Sequence, residues 1–349
     1  MKGLILCAGR GTRLYPFSYS QPKTLLPVAN YPVLHYCIHK LLEIGIHEIG
    51  IVINPAQTQI MEYVGDGSQY QATITFIEQP KPLGIAHAVL LSRSFIQDSP
   101  FLLLLGDNLL MDSLHTLHRS FTQPGAEGAL LLSEVDRPQD YGIAEIVKGK
   151  LRSVEEKPKE PKSNLAVIGA YGFRSSIFSA IEHLQPSARG EYEITDAIQA
   201  LLDQEHHIAH AVTDHMYTDV GTIDRWLAAN RWMLAHELGN QVKTGENSVL
   251  IDCELQGPVL IGKNCRIENC RIGPYVSIQD GVTLKNCALI ENSILLEHSS
   301  LVNIDCEVRE SVFGRHSTLT GRLPGNMGIF IVSDRTQIQL PANGERALR

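Results

Sequence analysis

The sequence predicts a layered α/β domain followed by a parallel β-helix, and three observations support this fold class. Short apolar runs alternate with helical patterns over the first two thirds of the 349 residues, as in domains whose sheet is covered by helices. A chain of this length exceeds the size at which one core usually stops growing, so we expect two domains. Beyond His236, apolar residues recur every five or six residues, which is typical of a solenoid of short strands.

The strand candidates are short apolar runs. The continuous run Phe101–Leu105 fits a central strand that is covered on both faces. The alternation from Ile208 to Val212 indicates a later strand. We predict the strands of the first domain over Gly3–Cys7, Glu48–Ile53, Thr73–Glu78, Phe101–Leu105 and Ala129–Val135.

Helices are predicted where apolar residues repeat at helical spacing. Leu34, Ile38, Leu41 and Leu42 share one helix face, and Gly45 supplies a C-terminal cap. Further helices are predicted over Ile85–Ser92, Ser176–His183, Ile194–Gln204 and Thr222–His236.

The C-terminal pattern is a hexapeptide repeat. Ile261, Ile267, Ile272, Ile278 and Leu284 recur at steps of six, five, six and six residues, with glycines in the turns between them. Such spacing predicts short strands wrapped into a triangular coil with these residues inside. We expect the repeat to continue, less regularly, through Leu289, Ile294, Leu301, Ile304, Val308 and Val312, with the cysteines at 265, 270, 287 and 306 at inward corners.

The composition is that of an ordinary globular protein. Hydrophobic residues make up 44% of the chain, charged residues 19%, and the formal net charge is −8, which argues against a broad nucleic-acid-binding surface. The apolar run Leu4–Cys7 is too short for a signal peptide, so we expect a cytoplasmic protein that binds no membrane. The seven cysteines include no CxxC pair, and we interpret them as small buried residues rather than zinc ligands.

The most informative motif follows the first predicted strand. In Gly9-Arg10-Gly11-Thr12-Arg13, the glycines let backbone N–H groups approach phosphate oxygens. The third glycine of the dinucleotide-binding fingerprint and the Walker lysine are both absent from this stretch. Lys23 follows Arg13 at ten residues. Two cations therefore flank one predicted anion-binding loop.

The sequence resembles the sugar nucleotidyltransferase family in three features: this loop, its ending in Thr-Arg-Leu, and the lysine before Leu26-Pro27. Within it, the chain is most similar to the long-form glucose-1-phosphate thymidylyltransferases, over essentially its whole length. The resemblance implies a Rossmann-like mixed-sheet nucleotidyltransferase domain at 1–237 and a left-handed parallel β-helix domain at 248–349. It also implies transfer of a nucleotidyl group from a nucleoside triphosphate, with dTTP favoured, to a sugar 1-phosphate, with glucose 1-phosphate favoured, releasing pyrophosphate.

Two aspartates are candidate metal ligands. Asp107 follows the most apolar strand, and a carboxylate at that end of a strand can meet a ligand over the sheet. Asp219 lies before Gly221-Thr222 and a predicted helix, where capping is the alternative. The resemblance implies that both hold Mg²⁺, which prefers few protein carboxylates together with phosphate and water oxygens.

The resemblance also assigns the remaining site residues. Gln79 offers a donor and an acceptor to a pyrimidine edge, and Gly84 would let the backbone approach the base. We expect catalytic roles for Arg13, Lys23 and Lys157. The expected nucleotide-binding residues are Ala8, Gly9, Gly11, Thr12, Arg13, Gln79, Gly84 and Asp107, and the expected sugar-phosphate-binding residues are Tyr141, Gly142, Glu156, Lys157, Val167 and Arg189.

Several alternatives stay open at this level. Cys7-Ala8 and Thr24 depart from the family pattern near the nucleobase, so UTP or another triphosphate is an alternative to dTTP. Hexapeptide β-helices also host acyl transfer, and His298 or His316 would serve a bifunctional enzyme. A catalytically silent regulatory homologue is the non-enzyme alternative, and the chain could form a homo-oligomer. The histidines at 206, 207 and 210 lack the spacing of a zinc helix.

Overall fold

The computed structural model describes residues 1–322 and 326–340. The described chain forms two compact units. The first unit comprises Met1–Arg10 and Val33–Asp219, and the second comprises Gly11–Pro32 and the described residues from Val220 onward.

This division differs from the predicted domains 1–237 and 248–349. The segment 11–32 and the long helix after Asp219 fall in the same compact unit as the C-terminal strands. Within this unit, Phe17 of the segment packs edge-on against Trp226 of the helix, with ring centroids 5.3 Å apart. Parts of the second predicted domain, residues 323–325 and 341–349, lie outside the described residues.

Elements up to Leu238 are numbered in chain order. The strands are β1 (Lys2–Leu6), β2 (Pro27–Val28), β3 (Tyr31–Pro32), β4 (Glu48–Ile53), β5 (Thr73–Glu78), β6 (Phe101–Leu105), β7 (Asn108–Leu110), β8 (Ala126–Glu134), β9 (Gly142–Val147), β10 (Lys150–Glu156), β11 (Leu165–Phe173), β12 (His207–Val212) and β13 (Tyr217–Asp219). The helices are α1 (Phe17–Ser20), α2 (Val33–Glu43), α3 (Thr58–Val64), α4 (Ile85–Leu91), α5 (Arg93–Ile96), α6 (His115–Phe121), α7 (Ser176–Glu182), α8 (Ile194–Asp203) and α9 (Ile223–Leu238).

A mixed sheet forms the centre of the first unit, with strand order β10-β9-β11-β6-β1-β4-β5. In addition, β8 pairs with β11, and β12 pairs with β8. β1 pairs in parallel with β4 and β6, whereas β11 runs antiparallel to β6. The predicted central strand Phe101–Leu105 is confirmed, since β6 lies between β1 and β11 with Phe101 to Leu104 buried. The predicted mixed α/β class is therefore confirmed.

The predicted helices are also present. α2 ends two residues before Gly45, whose φ of 76° allows the chain to turn. Thr222 caps α9 by accepting a hydrogen bond from the backbone N–H of Arg225 at 3.3 Å. Among the described residues, no helix is both long and apolar enough to cross a bilayer.

A parallel β-helix makes up most of the second unit. Ile261 pairs with Ile278, and Ile278 with Leu295, so one coil takes 17 residues. Its strands are β14 (Val242–Thr244), β15 (Val249–Ile251), β16 (Glu254–Leu255), β17 (Val259–Ile261), β18 (Arg266–Ile272), β19 (Val276–Ile278), β20 (Thr283–Glu291), β21 (Ser293–Leu295), β22 (Ser300–Arg309), β23 (Val312–Phe313), β24 (Thr318–Thr320), β25 (Met327–Gly328), β26 (Ile331–Val332) and β27 (Gln337–Gln339).

The inward positions of the first coils are as predicted, and in the less regular stretch three of the named residues lie outside the core of the coil. Ile261, Ile267, Ile272, Ile278 and Leu284 belong to the buried core of the coil, together with the cysteines at 265, 270, 287 and 306. Further on, Ile290, Leu295 and Phe313 fill the core in place of Leu289, Ile294 and Val312. A register shift in the pairing of β18 with β20, which sets Ile272 opposite Ile290, accounts for the first change. Ile294 and Val312 align with Ser277, whose hydroxyl faces outward to α9.

Candidate functional site

The loop after β1 begins in the first unit. The Cys7 N–H donates to the Val52 carbonyl at 2.7 Å, which extends the β1–β4 pairing to the start of the loop. Ala8 is buried, and the Gly9 carbonyl accepts a hydrogen bond from Nε2 of Gln57 at 3.5 Å. The sheet therefore fixes the beginning of the predicted phosphate-binding loop.

The rest of the loop and Lys23 belong to the second unit. Gly11 has a φ of 64°, and a Cβ placed on it would lie 3.0 Å from Cβ of Lys23 and 3.4 Å from its Cγ and Cδ. The stem of Lys23 therefore lies against the glycine. Thr12 and Arg13 are exposed on the short 3₁₀ helix that follows. This confirms that the loop and the lysine, ten residues beyond Arg13 in the sequence, are neighbours in space.

The two predicted metal ligands are brought together by a two-stranded sheet. β13 pairs antiparallel with β7, and the register sets Asp219 opposite Asn108, the residue after Asp107. Both aspartates are partly exposed. Among the described residues, no group of three or more histidine, cysteine, aspartate or glutamate side chains could hold a metal ion. A pair of carboxylates with room for phosphate and water oxygens fits Mg²⁺.

Glycine lets the Asp107 turn approach β1. The Gly106 N–H donates to the Leu6 carbonyl at 2.9 Å, and a Cβ on Gly106 would lie 2.6 Å from Sγ of Cys7. Any side chain at this position would push the turn away from the end of β1. The turn that carries Asp107 is therefore held beside the start of the phosphate-binding loop.

Asn108 and Gly169 support this pair, and the sequence did not single them out. Nδ2 of Asn108 donates to the Ile168 carbonyl at 3.1 Å. Gly169 has a φ of 71°, and a Cβ on it would lie 2.2 Å from that same Nδ2. The pairing of β11 with β8 is interrupted between Val167 and Tyr171, and this irregularity makes room for the Asn108 amide.

Gln79 and Gly84 contact each other. Nε2 of the buried Gln79 donates to the Gly84 carbonyl at 3.2 Å and lies 3.0 Å from Nδ1 of His87. A Cβ on Gly84 would lie 2.5 Å from the Tyr192 carbonyl oxygen. The structure thus gives both residues a local role, since the Gln79 amide nitrogen holds the loop and the glycine allows it to pass Tyr192.

The predicted sugar-phosphate residues meet around Glu156. Oε1 of Glu156 lies 3.3 Å from Nη2 of Arg189 and 3.9 Å from Nζ of Lys157. The Lys157 N–H donates to the Tyr141 carbonyl at 2.9 Å. A Cβ on Gly142 would lie 3.1 Å from Oε2 of Glu156. Five of the six predicted residues therefore form one cluster, whereas the side chain of Val167 belongs to the hydrophobic core.

Glu193 is a member of this cluster that sequence reasoning missed. Its carboxylate accepts hydrogen bonds from Nη2 of Arg189 at 2.8 and 2.9 Å, from Nε of Arg189 at 3.2 Å and from the Ser187 hydroxyl at 2.7 Å. It is only 5% exposed. The signal was present as a second carboxylate four residues after Arg189, but its position before α8 suggested a helix start.

The cluster shifts the protonation of its own groups. Burial raises the pKa of Glu156, and the negative charge of Glu193 raises it further, while Arg189 and Lys157 act in the opposite direction. Burial would lower the pKa of Arg189, but the hydrogen bonds and charge of Glu193 raise it overall. Burial, and then the nearby charge of Glu156, raises the pKa of Tyr171. These are the properties expected of a partly buried polar binding site.

The histidines considered for other chemistry are less informative. His298 and His316 are exposed, and their rings stack at 4.9 Å between centroids. Burial, and then the charge of His207, lowers the pKa of His210 on β12.

Comparison with known proteins identifies the family. The nucleotidyl transferase family model matches residues 2–236. The chain is 34% identical over 334 residues to a glucose-1-phosphate thymidylyltransferase of Streptomyces griseus, covering 92% of this chain and 94% of the relative. It is 36% identical over 360 residues to the low-salt glycan biosynthesis nucleotidyltransferase Agl11 of Haloferax volcanii, covering 97% of this chain and 100% of the relative.

A solved structure agrees. It comes from Bacillus anthracis, is described as a candidate glucose-1-phosphate thymidylyltransferase in complex with a sucrose, and is 36% identical with a TM-score of 0.64. The match covers 70% of this chain and 98% of that chain. With two thirds of its length matched by the family model, the chain belongs to the nucleotidyl transferase family.

Proposed function

We propose that this protein transfers a nucleotidyl group from a nucleoside triphosphate to a sugar 1-phosphate, with dTTP and glucose 1-phosphate as the favoured pair. The observation that carries the proposal is the β7–β13 pairing, which sets Asp219 beside Asp107 at the end of the central strand. The name of the Streptomyces griseus relative supports the choice of substrates. Homo-oligomerisation stays a prediction that gel filtration can check.

The reaction we propose is an in-line displacement. An ionised oxygen of the sugar 1-phosphate attacks the α-phosphorus, the bond between that phosphorus and its bridging oxygen breaks, and pyrophosphate leaves. The nucleophile is already an anion near neutral pH, so no general base is required. Catalysis then depends on binding and orienting two polyanions and on balancing the charge that develops.

Each cation has a proposed partner. Arg13 and Lys23 bind phosphates of the triphosphate, and Lys157 binds the phosphate of the sugar. Nε and Nη2 of Arg189 are bonded to Glu193 and Glu156, so we assign its Nη1 to the sugar phosphate.

The uncharged parts of the substrates also have proposed partners. Glu156 accepts hydrogen bonds from vicinal sugar hydroxyls, which suits a carboxylate that Arg189 already holds in place. The backbone beside Ala8, Gly9, Gln79 and Gly84 recognises the base. Asp107 and Asp219 hold Mg²⁺, which when bound supplies positive charge to the phosphate oxygens.

Substitution of Asp107 tests the metal assignment. We expect Asp107→Asn to lower Mg²⁺-dependent pyrophosphate release at least about 100-fold, because a carboxylate is lost where phosphate charge must be balanced. The exposed Asp214→Asn is the matched control and should turn over normally. Near-normal turnover by Asp107→Asn would rule out the assignment.

A substrate matrix tests the reaction itself. Pyrophosphate release should be measured for four nucleoside triphosphates against several sugar 1-phosphates. The highest kcat/KM is expected for dTTP with glucose 1-phosphate. A clear preference for UTP would redirect the assignment to a uridylyltransferase, and tight triphosphate binding without turnover in any pair would indicate a regulatory homologue.

A further inference from the structure

Lys23 lies in the segment from Gln21 to Asn30, and side chains of α9 hold the later part of this segment. Nε1 of Trp226 donates to the Pro27 carbonyl at 2.6 Å, and Oδ1 of Asn230 accepts the Ala29 N–H at 2.9 Å. Both α9 side chains are buried, with exposures of 0% and 1%. The chain after Lys23 is therefore fixed by directional bonds in a dry environment, where each bond is costly to lose.

The β-helix continues this attachment. Oδ1 of Asn230 also accepts a hydrogen bond from the Ser277 hydroxyl at 2.9 Å, so one amide links the segment to β19. Nδ2 of Asn30 donates to the Ile278 carbonyl at 2.8 Å. Ala29 and Asn30 have φ values of 45° and 67°, a conformation that needs support from its surroundings.

Arg315 holds the other end of the segment. Its Nη1 donates to Oε1 of Gln21, which is 5% exposed. Arg315 is itself fixed, because its Nε lies 3.2 Å from Oε2 of Glu297 and its backbone N–H donates to Asp334 at 2.7 Å. The guanidinium is thus aimed at Gln21 by two further bonds.

Only one residue separates Gln21 from Lys23, and that residue is Pro22. Proline fixes its own φ, so a displacement of Gln21 passes to Lys23 with little chance of being absorbed. Lys23 in turn lies against Gly11 of the phosphate-binding loop. A bond made by a β-helix arginine therefore reaches, through three consecutive residues, a cation of the loop.

We propose that Arg315 is a positioning residue for Lys23, acting through Gln21. The inference rests on the proposed function, in which Lys23 binds a phosphate of the triphosphate. The β-helix then contributes to triphosphate binding by keeping Lys23 in place. Such positioning matters because a misplacement of a binding group by about 1 Å can cost 100-fold in rate.

Steady-state kinetics of Arg315→Gln provide the first test. We expect KM for the triphosphate to rise about 10-fold, as for loss of one hydrogen bond from a charged group, with KM for the sugar 1-phosphate unchanged. Arg309→Gln is the matched control, because Arg309 has a similar exposure and contacts Glu307 of its own strand β22 and Glu291 of the neighbouring strand β20. A loss of thermal stability with both KM values unchanged would overturn the proposal.

A double-mutant cycle tests the route through Gln21. If Arg315 acts through that residue, Arg315→Gln should have no further effect on KM in a Gln21→Ala background. Additive effects of the two changes would contradict the proposal. Should Arg315→Gln not fold, Gln21→Ala removes the same bond from the other partner, and its two KM values decide.

A measurement without turnover separates this proposal from the proposed function. The acylation rate of Lys23 by an amine-reactive ester, followed by peptide mass spectrometry, reports the freedom of that amine. We expect Arg315→Gln to raise this rate at least about 3-fold, because a released segment exposes the amine more often, and Arg309→Gln to leave it unchanged. An equal rate in wild type and Arg315→Gln refutes the positioning role, whereas a wild type inactive on all substrate pairs refutes the proposed function and leaves this readout intact.

Discussion

At the scale of single residues, the surroundings of Glu156 oppose the ionisation of its carboxyl group. Burial and the charge of Glu193 raise its pKa. Because its pKa is higher in the folded protein than in the unfolded chain, ionisation costs folding free energy once the pH exceeds the ordinary value of 4.5. A buried carboxylate that lowers stability at neutral pH is expected where the negative charge serves binding.

Glu156→Gln tests whether the ionised carboxyl group lowers the stability of the folded protein. The variant should be more stable than wild type at pH 7, and the difference should shrink as the pH falls from the raised pKa of folded Glu156 towards 4.5, because the carboxyl group is then uncharged in both the folded and the unfolded chain. Binding of the sugar 1-phosphate should weaken. Denaturant unfolding over a pH series measures the effect, with the exposed Glu155→Gln as control. A variant less stable than wild type at pH 7 would show that the ion pair with Arg189 outweighs the burial.

Gly11 gives a second prediction at this scale. Gly11→Ala places a Cβ 3.0 Å from Lys23, so the lysine must move. We expect KM for the triphosphate to rise about 10-fold, in addition to about 1 kcal/mol of backbone strain. Gly45→Ala has a similarly positive φ of 76° with nothing within 4 Å of the new Cβ, so it should show the strain alone. Equal KM values for the two variants would contradict the prediction.

At the scale of elements, the interruption in β11 supports the β7–β13 pair. Gly169 is the residue at which β11 leaves the regular pairing, and its space is taken by the amide of Asn108. Asn108 is in turn the strand partner of Asp219. We therefore expect the irregular strand to support the register that brings the two aspartates together, as bulges commonly do beside functional sites.

Gly169→Ala tests this dependence. The added Cβ would lie 2.2 Å from Nδ2 of Asn108, so the amide must leave its bond to Ile168. We expect a fall in kcat of at least about 10-fold, with weaker metal dependence, because the carboxylate pair loses its support. Gly149→Ala is the control, with a φ of 75° and open space around the new Cβ. Full activity in Gly169→Ala would show that the pair needs no such support.

At the scale of the whole molecule, the second unit is not a separate attachment to a complete catalytic domain. Buried side chains of the segment 11–32, such as Leu14 and Phe17, and of α9, such as Trp226, belong to the same unit as the β-helix. Arg13 and Lys23, which we propose bind the triphosphate, therefore lie in one compact unit with the solenoid.

We therefore expect a chain that ends at residue 237 to be less stable than the full chain. It lacks Ser277, Ile278 and Arg315, which hold the segment around Lys23. We expect a Tm at least about 5 °C lower than that of the full chain, with binding of a hydrophobic dye. A shortened chain with an unchanged Tm and no dye binding would show that residues 1–237 fold independently, as the sequence had suggested.

The predictable part of the fold is the part with local signals. β4, β5 and β6 have the predicted bounds because each is an apolar run between turn residues. β9, β10 and β11 were missed. β10 is exposed on one side, and the buried β11 is interrupted by Gly169 and Gly172, and both features weaken the strand signal. Ile290 rather than Leu289 enters the core of the coil, because a one-residue shift in the pairing of β18 with β20 leaves no mark in the spacing.

The sequence by itself determined the fold class and the identities of the charged residues, and it predicted the phosphate-binding loop, because these are properties of short segments. Only the tertiary structure decided which residues share a unit and which pairs of them meet. Arg315 lies 294 residues from Gln21 in the sequence. The sequence indicates only a helix start at Glu193, and the structure shows its hydrogen bonds with Arg189. The reason is physical: hydrogen bonds between distant segments depend on register and packing, which no local pattern records.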